Sequence, residues 1–308
     1  MKTILISGCA GFIGQNLIEN LINDYKIIGI DSFYSSNEDS IKKFFINNNF
    51  KFINTCITRL PEIQEEVDII FNLACPASPP IYQKDPIFTL NTNYLGTKNL
   101  LDLAKKKSSI FIQASTSEIY GDPEVHPQIE AYNGNVNTIG VRSCYDEGKR
   151  IAETLCYEYR KLFNVQTRIV RIFNTYGPGM EANDGRVISN FMVNTLKKRP
   201  LNIYGSGNQT RSFCFVSDLI NALEKSIDID FDYPINLGND NEISLIELAD
   251  IFKNTFGQNK IVYSKPQEDD PRVRKPDISR AKKVLNWEPK VNIIEGLKLT
   301  HKYFNTIL

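Results

Sequence analysis

The stretch KTILISGCAGFIG, residues 2–14, decides the fold. Its first six residues are an almost unbroken apolar run that stops at Gly8, as a buried parallel strand does. Glycines then recur at Gly8, Gly11 and Gly14, and apolar residues follow at helical spacing: Phe12, Ile13, Leu17, Ile18, Leu21 and Ile22. The stretch therefore reads as strand, tight turn and helix. Glycines at such a turn let the backbone come close to a pyrophosphate, whose charge a helix N-terminus favours. Twenty residues past Gly11, the next apolar run (KIIGI, 26–30) ends at Asp31. A carboxylate there accepts the adenosine ribose hydroxyls and repels a 2′-phosphate. No Lys or Arg occurs in residues 32–39 to receive one. Gly8, Gly11, Phe12, Ile13, Gly14 and Asp31 are thus expected to hold a dinucleotide, NAD in preference to NADP.

Outward from this unit the alternation continues. Strand-like runs cover Phe50–Asn54, Val67–Leu73, Ile110–Ala114 and Thr167–Ile172, with helical segments at about Pro86–Lys106 and Ser143–Leu162. Such alternation predicts an α/β fold, a doubly wound parallel sheet of Rossmann type. Beyond residue 172, turn-rich pieces separate shorter helices such as Val187–Leu196 and Leu245–Asn254. The expected division is a dinucleotide-binding domain over 1–172 and a smaller lobe over 173–308, with segments near 212–240 returning to the first.

Composition narrows the function classes. Lys plus Arg equals Asp plus Glu, 36 each in 308 residues, which argues against a nucleic-acid-binding face. Only His126 and His301 occur, and six cysteines are scattered without CxxC spacing, so no metal centre is expected. No run is long enough for a membrane span, and the N-terminus lacks a secretory pattern; a soluble, cytoplasmic protein is expected.

Tyr-x-x-x-Lys occurs three times, at Tyr94/Lys98, Tyr145/Lys149 and Tyr157/Lys161. Four residues apart, the two side chains share a helix face, where an ammonium can lower a phenol's pKa and reach a ribose. The strand Ile110–Ala114 ends in Ser115-Thr116-Ser117-Glu118, several hydroxyls with a carboxylate. Tyr145 opens the following long helix and can face that strand end. Tyr157 lies about 18 Å further along, some 120° round the axis. Tyr145 and Lys149 are the expected pair.

These motifs resemble the extended short-chain dehydrogenase/reductase family of nucleotide-sugar enzymes. Longer ones, NLACPASPPIYQ (72–83), ASTSEIYGDPEVHPQ (114–128), CYDEGKRIAETL (144–155), RIFNTYGP (171–178), DGRVISNF (184–191), YGSGNQTRSF (204–213) and DDPRVRKPDI (269–278), are similar to the UDP-glucuronate decarboxylases within it. Related 4,6-dehydratases carry Asp-Glu after the Thr, and 4-epimerases Ser-Ala-Thr; Thr116-Ser117-Glu118 follows the decarboxylase pattern. The resemblance implies oxidation at C4, loss of CO₂ from the resulting β-keto acid, and re-reduction on one bound NAD. It gives Tyr145 as the base, assisted by Lys149 and Thr116, with Ser117 and Glu118 organising C5 and Arg274 the carboxylate. It also implies Leu73, Ala74 and Asn93 at the cofactor, and Ser78, Tyr82, Asn174, Arg186, Tyr204, Gln209, Arg211 and Arg272 around UDP-glucuronate. A homodimer is expected, paired through the two long helices.

Three departures stand out. Cys9 replaces the family's usual glycine, Cys56 stands where relatives carry an Asp at the adenine, and the membrane anchor of Golgi relatives is not seen. Two alternatives stay open on the residues alone: release of UDP-4-keto-pentose with NADH, and a non-catalytic NAD-binding regulator.

Overall fold

The computed structural model describes residues 1–257, 260–266 and 269–308. Seven parallel strands form the central sheet: β1 (Thr3–Ser7), β2 (Lys26–Asp31), β3 (Phe50–Asn54), β4 (Ile69–Asn72), β5 (Ile110–Thr116), β6 (Thr167–Ile172) and, after four short strands described below, β11 (Ile235–Leu237). Their order is β3-β2-β1-β4-β5-β6-β11. It reverses direction between β1 and β4, and a crevice opens there at the strands' C-terminal ends, where ligands bind in such sheets.

Period-two alternation along the strands sends side chains to two cores. From β1, Ile4 and Ile6 join Leu17 and Ile18 on one face. Leu5 joins Ile70, Phe111, Leu100 and Leu101 on the other. Full burial of each such aliphatic side chain stabilises the fold by about 1.5–3 kcal/mol.

The helices framing the site are α1 (Phe12–Leu21), α2 (Pro79–Tyr82), α3 (Pro86–Asn91), α4 (Thr97–Lys107) and α5 (Ser143–Phe163). The segment expected as one helix over about Pro86–Lys106 is interrupted by a π turn at Thr92–Gly96. Close packing accompanies it: a Cβ on Gly96 would lie 2.4 Å from Ile57, and one on Gly148 of α5 would lie 2.7 Å from the Asn93 amide. The turn points Asn93 inward, with its Nδ2 donating to Cys75 Sγ at 3.1 Å and to the Thr89 carbonyl at 3.0 Å.

The lobe contains β7 (Thr175–Tyr176), α6 (Val187–Leu196), β8 (Leu201–Tyr204), β9 (Thr210–Ser212), β10 (Cys214–Phe215), α7 (Val216–Lys225), β12 (Glu242–Ser244), α8 (Leu245–Phe256), β13 (Ile261–Ser264), α9 (Ser279–Leu285) and α10 (Ile293–Ile307). The strands pair in twos: β7 with β10, β8 with β13, β9 with β12. Between them α7 packs against α1, and β11 pairs with β6, so the chain returns to the sheet before finishing the lobe. One apolar core runs from the sheet into the lobe through Phe191, Phe252 and Phe304. Helix α8 starts with a capping box between Ser244 and Glu247, a feature worth about 1 kcal/mol.

Candidate active site

The glycine turn needs glycine at two places in particular. Gly8 has φ +70°, and a Cβ there would lie 2.8 Å from the Leu73–Ala74 backbone. A Cβ on Gly14 would lie 2.3 Å from the Gly8 carbonyl. Gly11 caps α1 with no side-chain hydrogen bond, and no acid sits in the first turn. The first N–H groups of α1 thus face the groove with the helix's positive end. This cradle fits a pyrophosphate.

Asp31 ends β2 on the wall of the same groove. Its Oδ2 accepts from Ala10 N at 3.0 Å, and its Oδ1 from Phe33 N at 2.9 Å and Ser36 Oγ at 3.0 Å. Leu73, Ala74 and Cys56 line this end. The groove widens into a cavity of about 420 Å³ that carries Phe12, Ile13, Ser78, Thr116, Ser117, Tyr145 and Lys149 on its walls. Beneath it, a buried polar ladder crosses three strands: Ser7 Oγ donates to Asn72 Oδ1 (2.8 Å), and Asn72 Nδ2 to Gln113 Oε1 (2.8 Å). The residues expected at a dinucleotide lie together except Asn93, which sits behind the wall on Cys75.

At the end of β5 the chain turns through Ser117–Tyr120, with Thr116 Oγ1 accepting from Glu118 N at 3.3 Å. The first turn of α5 faces it and brings in Tyr145. Burial raises the phenol's pKa well above its ordinary value, with Cys75 and Glu118 adding to it; Thr116 and the charge of Arg186 oppose this only in part. Tyr82 of α2 stacks on Tyr145, ring centroids 5.1 Å apart and 7° from parallel. Lys149, one turn on, donates to the Ala114 carbonyl at 2.9 Å, with Nζ 5.8 Å from the Tyr145 ring centre. Its pKa is lowered by burial.

A second cavity, of about 150 Å³, opens from Tyr145 into the lobe. Tyr82, Asn174, Arg186, Tyr204, Gln209, Arg211 and Arg274 line it. Four guanidiniums (Arg142, Arg186, Arg211, Arg274) face two carboxylates (Glu118, Asp270) there, an excess of two positive charges. Arg272 stands apart: its side chain is exposed and pairs with Asp122 at 3.0 Å.

Glu118 is the junction of the two cavities. Both nitrogens of the Arg274 fork meet its two oxygens, the Nη2–Oε2 bond at 2.8 Å. Arg142 Nη2 adds a bond to Oε2 at 2.6 Å. Burial pushes the carboxyl up, but the two guanidiniums outweigh it and hold it at about 2. Both carboxylate oxygens are thus engaged by charged donors, while the two guanidiniums together leave one positive charge over.

Sequence reasoning missed Arg142, Asp146 and Asp270. Asp270 pairs with Arg211 at 2.7 Å and lies 3.9 Å from Arg142. The available signals were Arg142 three residues before Tyr145, on the same helical turn, and a buried Glu118 that one arginine leaves half satisfied.

The comparisons agree with this geometry. Residues 5–300 match the family model described as GDP-mannose 4,6 dehydratase. UDP-glucuronic acid decarboxylase 2 of Arabidopsis thaliana is 48% identical over 303 residues, 98% of this chain and 68% of that protein. UDP-glucuronic acid decarboxylase 1 of Xenopus tropicalis is 48% identical over 305 residues, 98% of this chain and 72% of the relative. The chain belongs to the UDP-glucuronic acid decarboxylase family. Solved structures of other members of the wider extended short-chain dehydrogenase/reductase group share the fold. The UDP-glucuronic acid 4-epimerase of Bacillus cereus, in complex with UDP-glucuronic acid and NAD, superposes with TM-score 0.90 at 26% identity, covering 99% of this chain and 100% of the other. The dTDP-glucose 4,6-dehydratase of Bacillus anthracis, in complex with NAD, gives 0.87 at 25%, covering 99% and 97%. Within the decarboxylase family's motif, Thr116-Ser117-Glu118 presents its carboxylate to two arginines and its middle hydroxyl, 3% exposed, to the groove.

Proposed function

We propose that this protein decarboxylates UDP-glucuronate to UDP-xylose and CO₂, using one bound NAD that is reduced and reoxidised within each turnover. The observation that carries this reading is the Glu118–Arg274–Arg142 cluster beside Tyr145, in a cavity with excess positive charge. A diphosphate and a carboxylate entering together need that charge.

The glycine turn and Asp31 would hold NAD, which supplies a hydride acceptor for C4 and a positive charge near Tyr145. Tyr145, beside Thr116 on the groove wall, takes the C4 hydroxyl proton and returns it at the end. Lys149 holds the groove wall at the Ala114 carbonyl and would present its ammonium to the cofactor. The C4 ketone turns the C6 carboxylate into that of a β-keto acid, so breaking the C5–C6 bond leaves an enolate across C4 and C5. Arg274 and Arg142 orient the carboxylate, while Ser117 and Glu118 order the C5 side. Asn174, Arg186, Tyr204, Gln209 and Arg211 hold the UDP moiety from the lobe. Ser78 and Tyr82 close the sugar from α2. Incubation with UDP-glucuronate and NAD should yield CO₂ and UDP-xylose by mass and NMR analysis. UDP-4-keto-pentose with stoichiometric NADH would overturn the re-reduction step, and an unchanged substrate the whole reading.

Cofactor choice follows from Asp31. A 2′-phosphate beside it would be a like-charge contact in a groove with no compensating cation nearby in the chain. NAD⁺ should bind at least about tenfold tighter than NADP⁺, each tenfold being about 1.4 kcal/mol. Equal dissociation constants by calorimetry would refute the assignment.

The homodimer reading rests on apolar side chains exposed on two neighbouring helical segments. Ile87, Leu90, Tyr94 and Leu95 on the α3–π–α4 rod, and Ile151, Tyr157 and Leu162 on α5, are all 37–65% exposed. Rod and α5 pack against each other, and exposed apolar faces on paired helices suit an isologous contact. Sedimentation should give twice the chain mass, and Tyr157→Glu with Ile151→Glu should give the monomer. A wild-type monomer at micromolar concentration would sink it. No helix among the described residues is long and apolar enough to cross a membrane; a cytoplasmic location is the reading that goes with this.

A further inference from the structure

The decarboxylation above consumes a proton that none of its named residues supplies. Tyr145 takes the C4 proton and gives the same proton back. Loss of CO₂ leaves the bonding pair on C5 as an enolate, and C5 must then gain H⁺ from outside. Glu118, held ionised by Arg274 and Arg142, is a poor store for it.

Behind Glu118 lies a further cavity of about 320 Å³, which Glu118, Arg142 and Asp270 share with the substrate cavity. Asp146 lines it. This residue follows Tyr145 directly, is 94% buried, and its Oδ1 has no hydrogen-bond partner among the described residues. A buried, ionised, unpaired carboxylate is costly; the protonated form is the state such a site favours. Asp122 and Asp269 line it as well, and Asp122 is 40% exposed, so the cavity opens to solvent there.

We propose that Asp146 stores the proton delivered to C5, passing it through water at the Glu118 carboxylate and recovering another from solvent through the rear cavity. The inference rests on the decarboxylase reading. The balance is closed: enolate plus Asp146 carboxylic acid gives the C5–H bond and an Asp146 carboxylate, which one solvent proton restores. Asp146 touches no reacting atom and acts through water and Glu118.

The charged and titratable surroundings agree. Burial raises the Asp146 carboxyl most, and Glu118 on the β5 turn and Glu147 on its own helix raise it further. Arg142, capping α5, and Arg274 before α9 oppose them, and the carboxyl is pushed up to about 8. Tyr82, across on α2, has its phenol raised and stays neutral. At neutral pH Asp146 thus carries the proton it would deliver.

The test compares the full chain with Asp146→Asn and Asp146→Glu, measuring CO₂ release from UDP-glucuronate between pH 6 and 9.5 and bound NADH by stopped-flow absorbance. Wild-type kcat should fall above pH about 8 as Asp146 loses its proton. Asp146→Asn should show kcat about tenfold lower at pH 7, KM within about twofold, no fall at pH 8, and a build-up of bound NADH, since only the step after CO₂ loss is slowed. Asp146→Glu should restore the pH-dependent limb. Folding is checked independently. Because the folded state binds a proton that the unfolded state has lost between pH about 4 and 8, wild-type stability falls across that window, and Asp146→Asn should lack this contribution. Wild-type kcat and pH profile in Asp146→Asn would overturn the inference, as would a loss confined to KM. A wild type that releases no CO₂ brings down the decarboxylase reading and the inference with it.

Discussion

Tyr145→Phe is expected to lower turnover by about 10² to 10⁴, with CO₂ release and NADH formation falling together. The reason lies in what the substitution leaves in place. Phenylalanine keeps the ring that stacks on Tyr82 at 5.1 Å, so the wall between groove and sugar cavity stays packed. What goes is one hydroxyl on the groove wall beside Thr116, the group proposed to take the C4 proton. Thr116 can turn its hydroxyl toward groove water, so the unpaired-partner penalty stays near the low end of about 1–3 kcal/mol. Both the glycine cradle and the arginines proposed to hold UDP are untouched, so binding of UDP-glucuronate and NAD should change by less than about threefold. Calorimetry measures the binding, and absorbance at the NADH band with trapped ¹⁴CO₂ measures the chemistry. A variant that still reduces NAD⁺ at the wild-type rate would remove Tyr145 from the oxidation and leave the role to be reassigned.

The nucleotide half of the site was legible because local rules dictate it. KTILISGCAGFIG can hardly be anything but strand, turn and helix, and the clash of any Cβ at Gly8 or Gly14 shows why those residues are glycine. Strand limits came within a residue or two because buried parallel strands are continuous apolar runs. The π turn at Thr92–Gly96 was not legible. It follows from how Gly96 meets Ile57 and Gly148 meets Asn93, contacts between segments far apart in the chain. Asn93 was expected at the cofactor, and that turn directs its amide to Cys75 instead. Strand β11 was missed as a strand, since Ile235–Leu237 is only three residues and follows Pro234 in a turn-rich stretch. Arg142 and Asp146 were hidden for a further reason: their meaning depends on Glu118, reached across 24 and 28 positions, and on Arg274, reached only through the lobe. Pairwise charge matching in a closed site is a tertiary fact. Arg272 shows the converse, since its place in the DDPRVRKPDI run suggested the UDP site, and the fold turns it outward onto Asp122.

Glu118→Gln should separate oxidation from decarboxylation. Glutamate offers two acceptor oxygens, which between them take both nitrogens of the Arg274 fork and one of Arg142. Glutamine offers one acceptor, and its amide N–H groups face guanidinium N–H groups, so one side of the fork is lost outright. Two buried guanidiniums then lack their counter-charge. Removing one partner of a buried pair typically costs about 3–5 kcal/mol. Here the loss should be smaller, because Glu118 is what helps keep Asp146 protonated. Once that charge is gone, Asp146 can ionise beside Arg142 and take over part of the pairing. The variant should therefore fold, with a melting temperature lowered by a few degrees. Its substrate affinity should hold or rise, since two freed guanidiniums attract the C6 carboxylate. Its CO₂ release should fall by about 10²-fold or more, the cost of guanidiniums misplaced by about 1 Å at the scissile bond. NADH should still form, because Tyr145, Thr116 and the nucleotide groove are intact, and it should accumulate instead of being consumed. CO₂ release at the wild-type rate from a folded Glu118→Gln variant would mean that the charge at this junction does no chemistry. Loss of NADH formation together with CO₂ would mean that Glu118 acts on C4, and that the division of labour between Tyr145 and the arginine cluster is wrong.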